Sequence, residues 1–122
     1  MSKDNIVLIK YPKNWGLDGD LVEILAKEAL KNKGFKENVE LSIIFVGKTK
    51  AKQLNVQYRQ KTYIPQVLEF PMSKNADEDG MIRLGDIVIC TQKLKYEIKF
   101  QKSDLNTILY QWLSHGIDNL NK

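Results

Sequence analysis

The chain has 122 residues, of which 43% are apolar and 28% are charged, and its formal net charge is +4. These values are typical of a folded domain with one core, and they exclude a largely disordered chain and a catalytic domain joined to a separate binding domain. We therefore expect a single domain over residues 1–122.

The sequence favours a protein of the cytoplasm. No apolar run approaches the roughly 18 residues that cross a bilayer, and no apolar block follows Met1 before a small-residue cleavage site. The only cysteine, Cys90, excludes an internal disulfide and a multi-cysteine zinc site, and we expect it to be a buried structural thiol. A membrane partner is not expected.

The first 47 residues predict two strands around a helix. Residues 5–10 are apolar and β-branched, and residues 39–46 are apolar on both faces in their later half, as in a central strand. Between them we expect a helix that begins at Asp20, with Glu23 at capping-box spacing, and ends near Gly34. Its expected buried face consists of Leu21, Ile24, Leu25, Ala26 and Ala29.

A second helix is expected to begin with Thr49 as its cap and to carry a basic face. Residues 48–61 contain no acidic residue. Such a surface attracts polyanions, RNA above all, or it is a solvated face that keeps the protein in solution. The expected packed face consists of Ala51, Leu54, Asn55 and Tyr58, and the candidate RNA-binding residues are Lys48, Lys50, Lys52, Arg59 and Lys61.

The second half of the chain predicts two strands followed by two helices. Residues 66–72 are flanked by prolines, as in an edge strand, and residues 81–90 are expected to return beside them as a hairpin after an exposed loop. Residues 91–99 predict a short helix, and Ser103 with Asp104 begins the final one. The order β-α-β-α-β-β-α-α predicts an α+β fold with a mixed four-stranded sheet packed by helices.

Arg59 stands at the end of the second predicted helix, just before a loop. A guanidinium in this place can bind a phosphate group bidentately, and the alternative is a surface salt bridge. A second unusual place is Gly85-Asp86, inside an otherwise apolar strand. Glycine weakens a strand unless a bulge or a close approach needs it, so this pair indicates a structural bulge or a groove that faces a substrate.

The only histidine is His115, which shares one edge of the predicted final helix with Asn119, one turn later. Zinc ligands on a helix use this spacing, but an asparagine is a poor ligand for a transition metal, and Asp118 points more toward solvent. Zinc sites need three or four protein ligands. These residues leave two interpretations, a hydrogen-bonded packing residue or the remnant of a metal site.

Several segments, taken in order, resemble the YbeY family of bacterial rRNA-maturation factors, which are metal-dependent, single-strand-specific endoribonucleases. The similarity covers about residues 39–120, and one segment, Leu84–Ile89, matches the family's Leu-Gly-Asp-Ile-Val-Ile residue for residue. The other matching segments are Leu41–Val46, Leu54–Arg59 with Lys61, Pro65–Pro71 and His115–Leu120.

The resemblance implies a zinc site built from three histidines at positions i, i+4 and i+10 of the final helix. Only the first, His115, is present; Asn119 stands at the second position, and the third would fall beyond Lys122. We therefore expect zinc to be weakly bound or absent. The resemblance also makes Arg59, at the family's substrate-phosphate position, and His115 the candidate catalytic residues.

Two further departures from the family pattern lie between the second helix and the third strand. The family's Thr-Asp is replaced by Pro65-Gln66, and its Ser by Glu69.

Three functions are compatible with these residues. The first is a metal-dependent endoribonuclease that processes rRNA. The second is a non-catalytic module that binds RNA or a ribosomal component and keeps the fold and the basic helix. The third is a scaffold that docks a partner on an exposed edge strand, which no particular residue supports.

Overall fold

The computed structural model of the chain describes residues 2–13 and 15–122. Its elements follow one another in the order β-α-β-α-β-β-α-α, so the predicted α+β class is confirmed. The elements are β1 (Ile6–Lys10), α1 (Gly19–Asn32), β2 (Val39–Val46), α2 (Lys48–Arg59), β3 (Val67–Pro71), β4 (Ile82–Cys90), α3 (Thr91–Phe100) and α4 (Leu105–Leu120).

The four strands form one mixed sheet in the order β1-β2-β4-β3. β1, β2 and β4 are parallel to one another, and β3 pairs antiparallel with β4. The predictions that β2 is central, that β3 is an edge strand and that β3 and β4 form a hairpin are confirmed. The carboxyl ends of three strands therefore lie along the same edge of the sheet.

The core lies between one face of the sheet and the pair of helices α1 and α4. Alternate residues of β2 point into it, as the two-residue period of a strand requires, and β4 adds Ile87 and Ile89. α2 packs on the opposite face, where the ring of Tyr58 meets Phe70 edge-on at a centroid distance of 5.1 Å. Among the described residues, no helix combines the length and apolar character that a membrane crossing requires.

The helix caps differ from the sequence expectation in the first two helices. α1 is capped by Asp18, whose carboxylate accepts the Asp20 N–H at 2.9 Å, so the prediction that Asp20 begins the helix as its cap was wrong. α2 begins directly after Gly47, which places Thr49 inside the first turn and not at the cap. The buried stripe of α1 runs through Val22, Leu25, Ala26, Ala29 and Leu30, and Ile24, which was expected on it, is 62% exposed.

α4 begins as predicted, with Asp104 as its N-cap. The Asp104 carboxylate accepts the Thr107 N–H at 2.8 Å, and hydrogen bonding to the Thr107 side chain and backbone lowers the pKa of this carboxyl. The helix packs closely on β4 at Gly116, where a Cβ atom would lie 2.9 Å from Ile87 Cδ1. Because Gly116 and Ile117 face the sheet, His115 is left on the exposed side of the helix.

The sequence left two interpretations of Gly85-Asp86, a structural bulge or a groove that faces a substrate. In the structure, Gly85 lies at a structural bulge. The register between β2 and β4 shifts there, since Glu40 pairs with Arg83 and Leu41 with Gly85. Gly85 has a φ of +141°, and a Cβ atom built on it would lie 2.3 Å from the Phe70 carbonyl oxygen. Only glycine fits this backbone and this close approach of β3.

We expect the Gly85→Ala variant to lose at least about 2 kcal/mol of folding stability, because the methyl group would combine an unfavourable φ with a backbone clash. Urea unfolding followed by circular dichroism measures the loss. Gly80→Ala is the matched control, since Gly80 also has a positive φ but open space around its Cβ position, and should cost about 1 kcal/mol. Equal losses in the two variants would show that the close approach at Gly85 is not the constraint.

Candidate functional site

A cleft of about 940 Å³ lies between the end of α2, the segment that leads into β3, and the outer edge of α4. It brings together Arg59, His115 and Asn119, which the sequence had indicated separately. The side chains that line it are Arg59, Tyr63, Ile64, Pro65, Gln66, Val67, Glu69, Gln111, Trp112, His115 and Asn119.

The α4 wall of the cleft is a row of polar side chains at one-turn intervals. Gln111, His115 and Asn119 follow one another at four-residue steps and line the same cleft, so the predicted shared edge of His115 and Asn119 is present. His115 is exposed, and Asn119 is half-buried. Gln111 was not singled out from the sequence, although its spacing of four residues from His115 was a signal for it.

On the opposite wall of the cleft, β3 contributes Glu69, which is hydrogen-bonded to Asn119 of α4. Glu69 Oε1 accepts a hydrogen bond from Asn119 Nδ2 at 3.0 Å, across 50 positions of sequence. Glu69 pairs with Ile87 in the β3–β4 ladder, and Ile87 packs on Gly116, so all of these residues share the α4 face of the sheet. The residue that replaces the family's Ser is thus bonded to the residue that replaces its second histidine.

Arg59 is placed by the last turn of α2 and by the loop that follows. Gln60 ends the helix in the left-handed conformation, and the buried Asn55 donates to the Tyr63 carbonyl at 2.9 Å, which holds the loop against the helix. Arg59 Nη2 donates a hydrogen bond to the Tyr63 hydroxyl oxygen at 3.3 Å. Within residues 2–13 and 15–122 no carboxylate forms an ion pair with Arg59, so the alternative of a surface salt bridge is not observed.

The basic residues of α2 are not gathered in the cleft. Lys48 and Lys52 line a separate groove of about 440 Å³, together with Val56 and Ile64. Ile64 lines both the groove and the cleft, so the two are adjacent. Lys50 and Lys61 are exposed and belong to neither lining.

The residues of the cleft do not fit a three-histidine zinc site. His115 is an imidazole ligand, but Asn119 turns its amide nitrogen toward Glu69, and an amide N–H donates hydrogen bonds and does not bind a metal. Among the described residues, no three His, Cys, Asp or Glu side chains come close enough together to hold a metal ion. These residues therefore do not support the zinc chemistry that the resemblance implies.

Two residues that line the cleft, Tyr63 and Glu69, could not be assigned to it from the sequence. Tyr63 lies in an exposed loop, and its hydroxyl reaches Arg59 only because Asn55 fixes the loop backbone. Glu69 appeared only as a departure from a family pattern, and its bond to Asn119 requires the hairpin and α4 to be in place.

The family model for the Endoribonuclease YbeY matches residues 17–120 of the chain. The match extends about 20 residues further toward the N-terminus than the segments recognised in the sequence, and it includes α1 and every residue of the cleft. The chain therefore belongs to the YbeY family.

Relatives of the chain include bacterial proteins named Endoribonuclease YbeY. The one from Thermodesulfovibrio yellowstonii is 35% identical over 96 residues, which are 79% of this chain and 58% of that protein. The one from Mycoplasma mycoides subsp. mycoides is 34% identical over 99 residues, covering 79% of this chain and 60% of that protein. The chain thus spans about three fifths of the length of the curated relatives that it matches.

A solved structure shares the fold. The solution structure of TM1509 from Thermotoga maritima superposes with a TM-score of 0.63 over 96% of this chain and 73% of that one, at 22% sequence identity. At this identity the likeness supports the fold alone, and it agrees with the element order and sheet described above.

We expect Glu69 and Asn119 to be energetically coupled by about 1 kcal/mol, because their hydrogen bond has a charged acceptor and is partly shielded from water. A double-mutant cycle with Glu69→Ala and Asn119→Ala, measured by urea unfolding, gives this coupling. The control cycle pairs Glu69→Ala with Gln111→Ala, since Gln111 lines the same cleft without a hydrogen bond to Glu69. Coupling of equal size in the two cycles would contradict the assignment.

Proposed function

We propose that this protein acts in ribosomal-RNA maturation in the cytoplasm, as a YbeY-type protein that binds single-stranded RNA in the cleft between α2 and α4. Its partner is then rRNA or a ribosomal component. Membership of the YbeY family supports the role, since the relatives are named as endoribonucleases and an RNA substrate follows from that name.

The observation that carries the proposal is the free guanidinium of Arg59 at the mouth of the cleft. It is exposed, it forms no ion pair among the described residues, and its only hydrogen-bond contact is with the Tyr63 hydroxyl. A guanidinium presents planar paired donors that match two oxygens of a phosphate group. Arg59 is therefore assigned the phosphate contact, and His115, on the opposite wall, the second contact to the RNA.

The basic face of α2 extends this interaction outside the cleft. Lys48 and Lys52 line the adjacent groove, and Lys50 and Lys61 are exposed nearby in sequence. Lysines at this distance attract the RNA backbone through charge and contribute salt-dependent affinity without selecting a base. An RNA strand would follow this face into the cleft at Ile64, which borders both surfaces.

Zinc-dependent cleavage is not part of the proposal for this chain. A catalytic zinc ion needs three protein ligands and an open position for the water that it activates. Here Asn119, and not a second imidazole, lies one turn from His115 on α4, and its amide is bonded to Glu69. We propose RNA binding as the property of these residues, in a family whose members are named for RNA cleavage.

The first test is the affinity of the chain for a single-stranded oligoribonucleotide, measured by fluorescence anisotropy at several salt concentrations. We expect Arg59→Ala to weaken binding about tenfold and to reduce the salt-dependence slope by about 1, because one phosphate contact is lost. Lys31→Ala, on the outer surface of α1, is the matched control and should leave the affinity unchanged. An affinity that does not respond to Arg59→Ala would contradict the proposal.

The second test measures zinc by equilibrium dialysis. We expect the unaltered chain to bind zinc at well below one ion per chain, and RNA to remain uncut in its presence. Asn119→His places a second imidazole one turn from His115 and opposite Glu69, and should raise zinc affinity at least about tenfold. One tightly bound zinc per unaltered chain, together with cleavage that a chelator stops, would overturn the assignment of binding without zinc chemistry.

A further inference from the structure

The end of the cleft between β3 and the last turn of α4 presents hydrogen-bond acceptors. Asn119 Nδ2 donates to Glu69 Oε1 at 3.0 Å. Because an ionised carboxylate only accepts hydrogen bonds, this contact fixes the orientation of the amide and leaves Asn119 Oδ1 as a free acceptor. Glu69 and Asn119, which are called the acceptor pair below, therefore offer a ligand oxygen atoms and no free charge of positive sign.

The free oxygens of the acceptor pair are accessible. Glu69 and Asn119 both line the cleft and are both half-buried, and neither Glu69 Oε2 nor Asn119 Oδ1 forms a hydrogen bond with another described residue. Neither atom is among the buried polar atoms without a partner in the described part of the chain. The two oxygens thus retain accessible surface on residues of the cleft wall, where a bound molecule can reach them.

The carboxylate of Glu69 is not neutralised by a cation. Among residues 2–13 and 15–122, no lysine, arginine or histidine forms an ion pair with it. A carboxylate repels the phosphate backbone of RNA and attracts groups that donate hydrogen bonds. With the phosphate contact assigned to Arg59, the acceptor pair is suited to the donor edge of a base.

One of the four RNA bases has two adjacent donors on its Watson–Crick edge. Guanine presents N1–H and N2–H side by side, and a carboxylate accepts such a pair in parallel. Adenine and cytosine present one amino donor beside a ring nitrogen that accepts, and uracil presents one N–H between two carbonyl oxygens. An ionised carboxylate has about four acceptor sites, of which Asn119 occupies one in Glu69, so both guanine donors can be accepted.

The cleft also contains rings that can hold the face of a base. Trp112 and His115 lie three residues apart on α4, Tyr63 lies on the α2 side, and all three line the cleft. Bases of single-stranded RNA are commonly stacked on such rings while their edges are hydrogen-bonded. The volume of about 940 Å³ is within the ~300–1,000 Å³ of pockets that enclose small organic ligands, so the cleft has room for a nucleotide.

We propose that the acceptor pair is a guanine-binding subsite. The N1–H and N2–H groups of the base donate to the Glu69 carboxylate, which Asn119 holds in place. The subsite selects the nucleotide, whereas a phosphate contact such as that of Arg59 carries no sequence information. This inference rests on the proposed binding of single-stranded RNA in the cleft, and it adds a base preference to that function.

The first test compares four heptameric ribonucleotides by fluorescence anisotropy, each uridine throughout except for a central guanosine, adenosine, cytidine or uridine. We expect the guanosine heptamer to bind about tenfold more tightly than the others, which is the discrimination that one bidentate base contact supplies. Central inosine, which lacks the N2 amino group, should lose most of this preference, and central 7-deazaguanosine, which keeps both donors, should retain it. The reverse order of these two bases would overturn the proposal.

The second test changes the carboxylate. Glu69→Gln keeps the size of the side chain but removes its charge and replaces one acceptor with a donor, so it should weaken binding of the guanosine heptamer about tenfold. Binding of the uridine heptamer should be unchanged or tighter, because a repulsion of the backbone is removed, whereas a misfolded variant would weaken both. A guanosine preference that survives Glu69→Gln would overturn the subsite.

Asp118→Asn is the matched control for charge. It removes the same charge from the residue beside Asn119 on α4, but Asp118 lies outside the cleft lining and pairs with Lys33. The guanosine preference should remain in this variant. Equal loss of preference in Asp118→Asn and Glu69→Gln would show that net charge and not the subsite is responsible, and would overturn the proposal.

Arg59→Ala separates this inference from the proposed function. It should weaken binding of all four heptamers by similar factors and leave the guanosine preference in place. Equal binding of the four heptamers, each weakened by Arg59→Ala, would overturn the guanine subsite and support RNA binding in the cleft. Absence of binding to every heptamer would overturn both proposals.

Discussion

The close packing of α4 against β4 and β3 is the constraint on which the cleft depends. It needs two glycines, because a Cβ at Gly116 would crowd Ile87, and one at Gly85 would collide with the Phe70 carbonyl and approach Leu120 of α4. With the helix held at this depth, its row of polar side chains lies along the sheet edge, and Asn119 comes within hydrogen-bond distance of Glu69. Protein interiors are close-packed, so even one added methyl group at these positions would destabilise the packing of α4 on the sheet.

The chemistry of the cleft follows from which groups are paired and which are free. The acidic side chain, Glu69, is bonded to Asn119, while the guanidinium of Arg59 and the imidazole of His115 face the opening on opposite walls. Both residues lie within residues 17–120, which match the YbeY family model. Because Asn119 lies one turn from His115 and is bonded to Glu69, the side chains present in the cleft do not form a three-histidine zinc centre.

The sequence by itself determined the order of the elements, the central place of β2, the hairpin of β3 and β4, and the shared edge of His115 and Asn119. These depend on local periodicity, on turn residues and on helical spacing, all of which act over a few residues. Only the tertiary structure decided that Glu69 accepts a hydrogen bond from Asn119 and that Arg59 and His115 line the same cleft. Those residues are tens of positions apart, and their relative geometry is fixed only when the sheet has brought its edges and helices together.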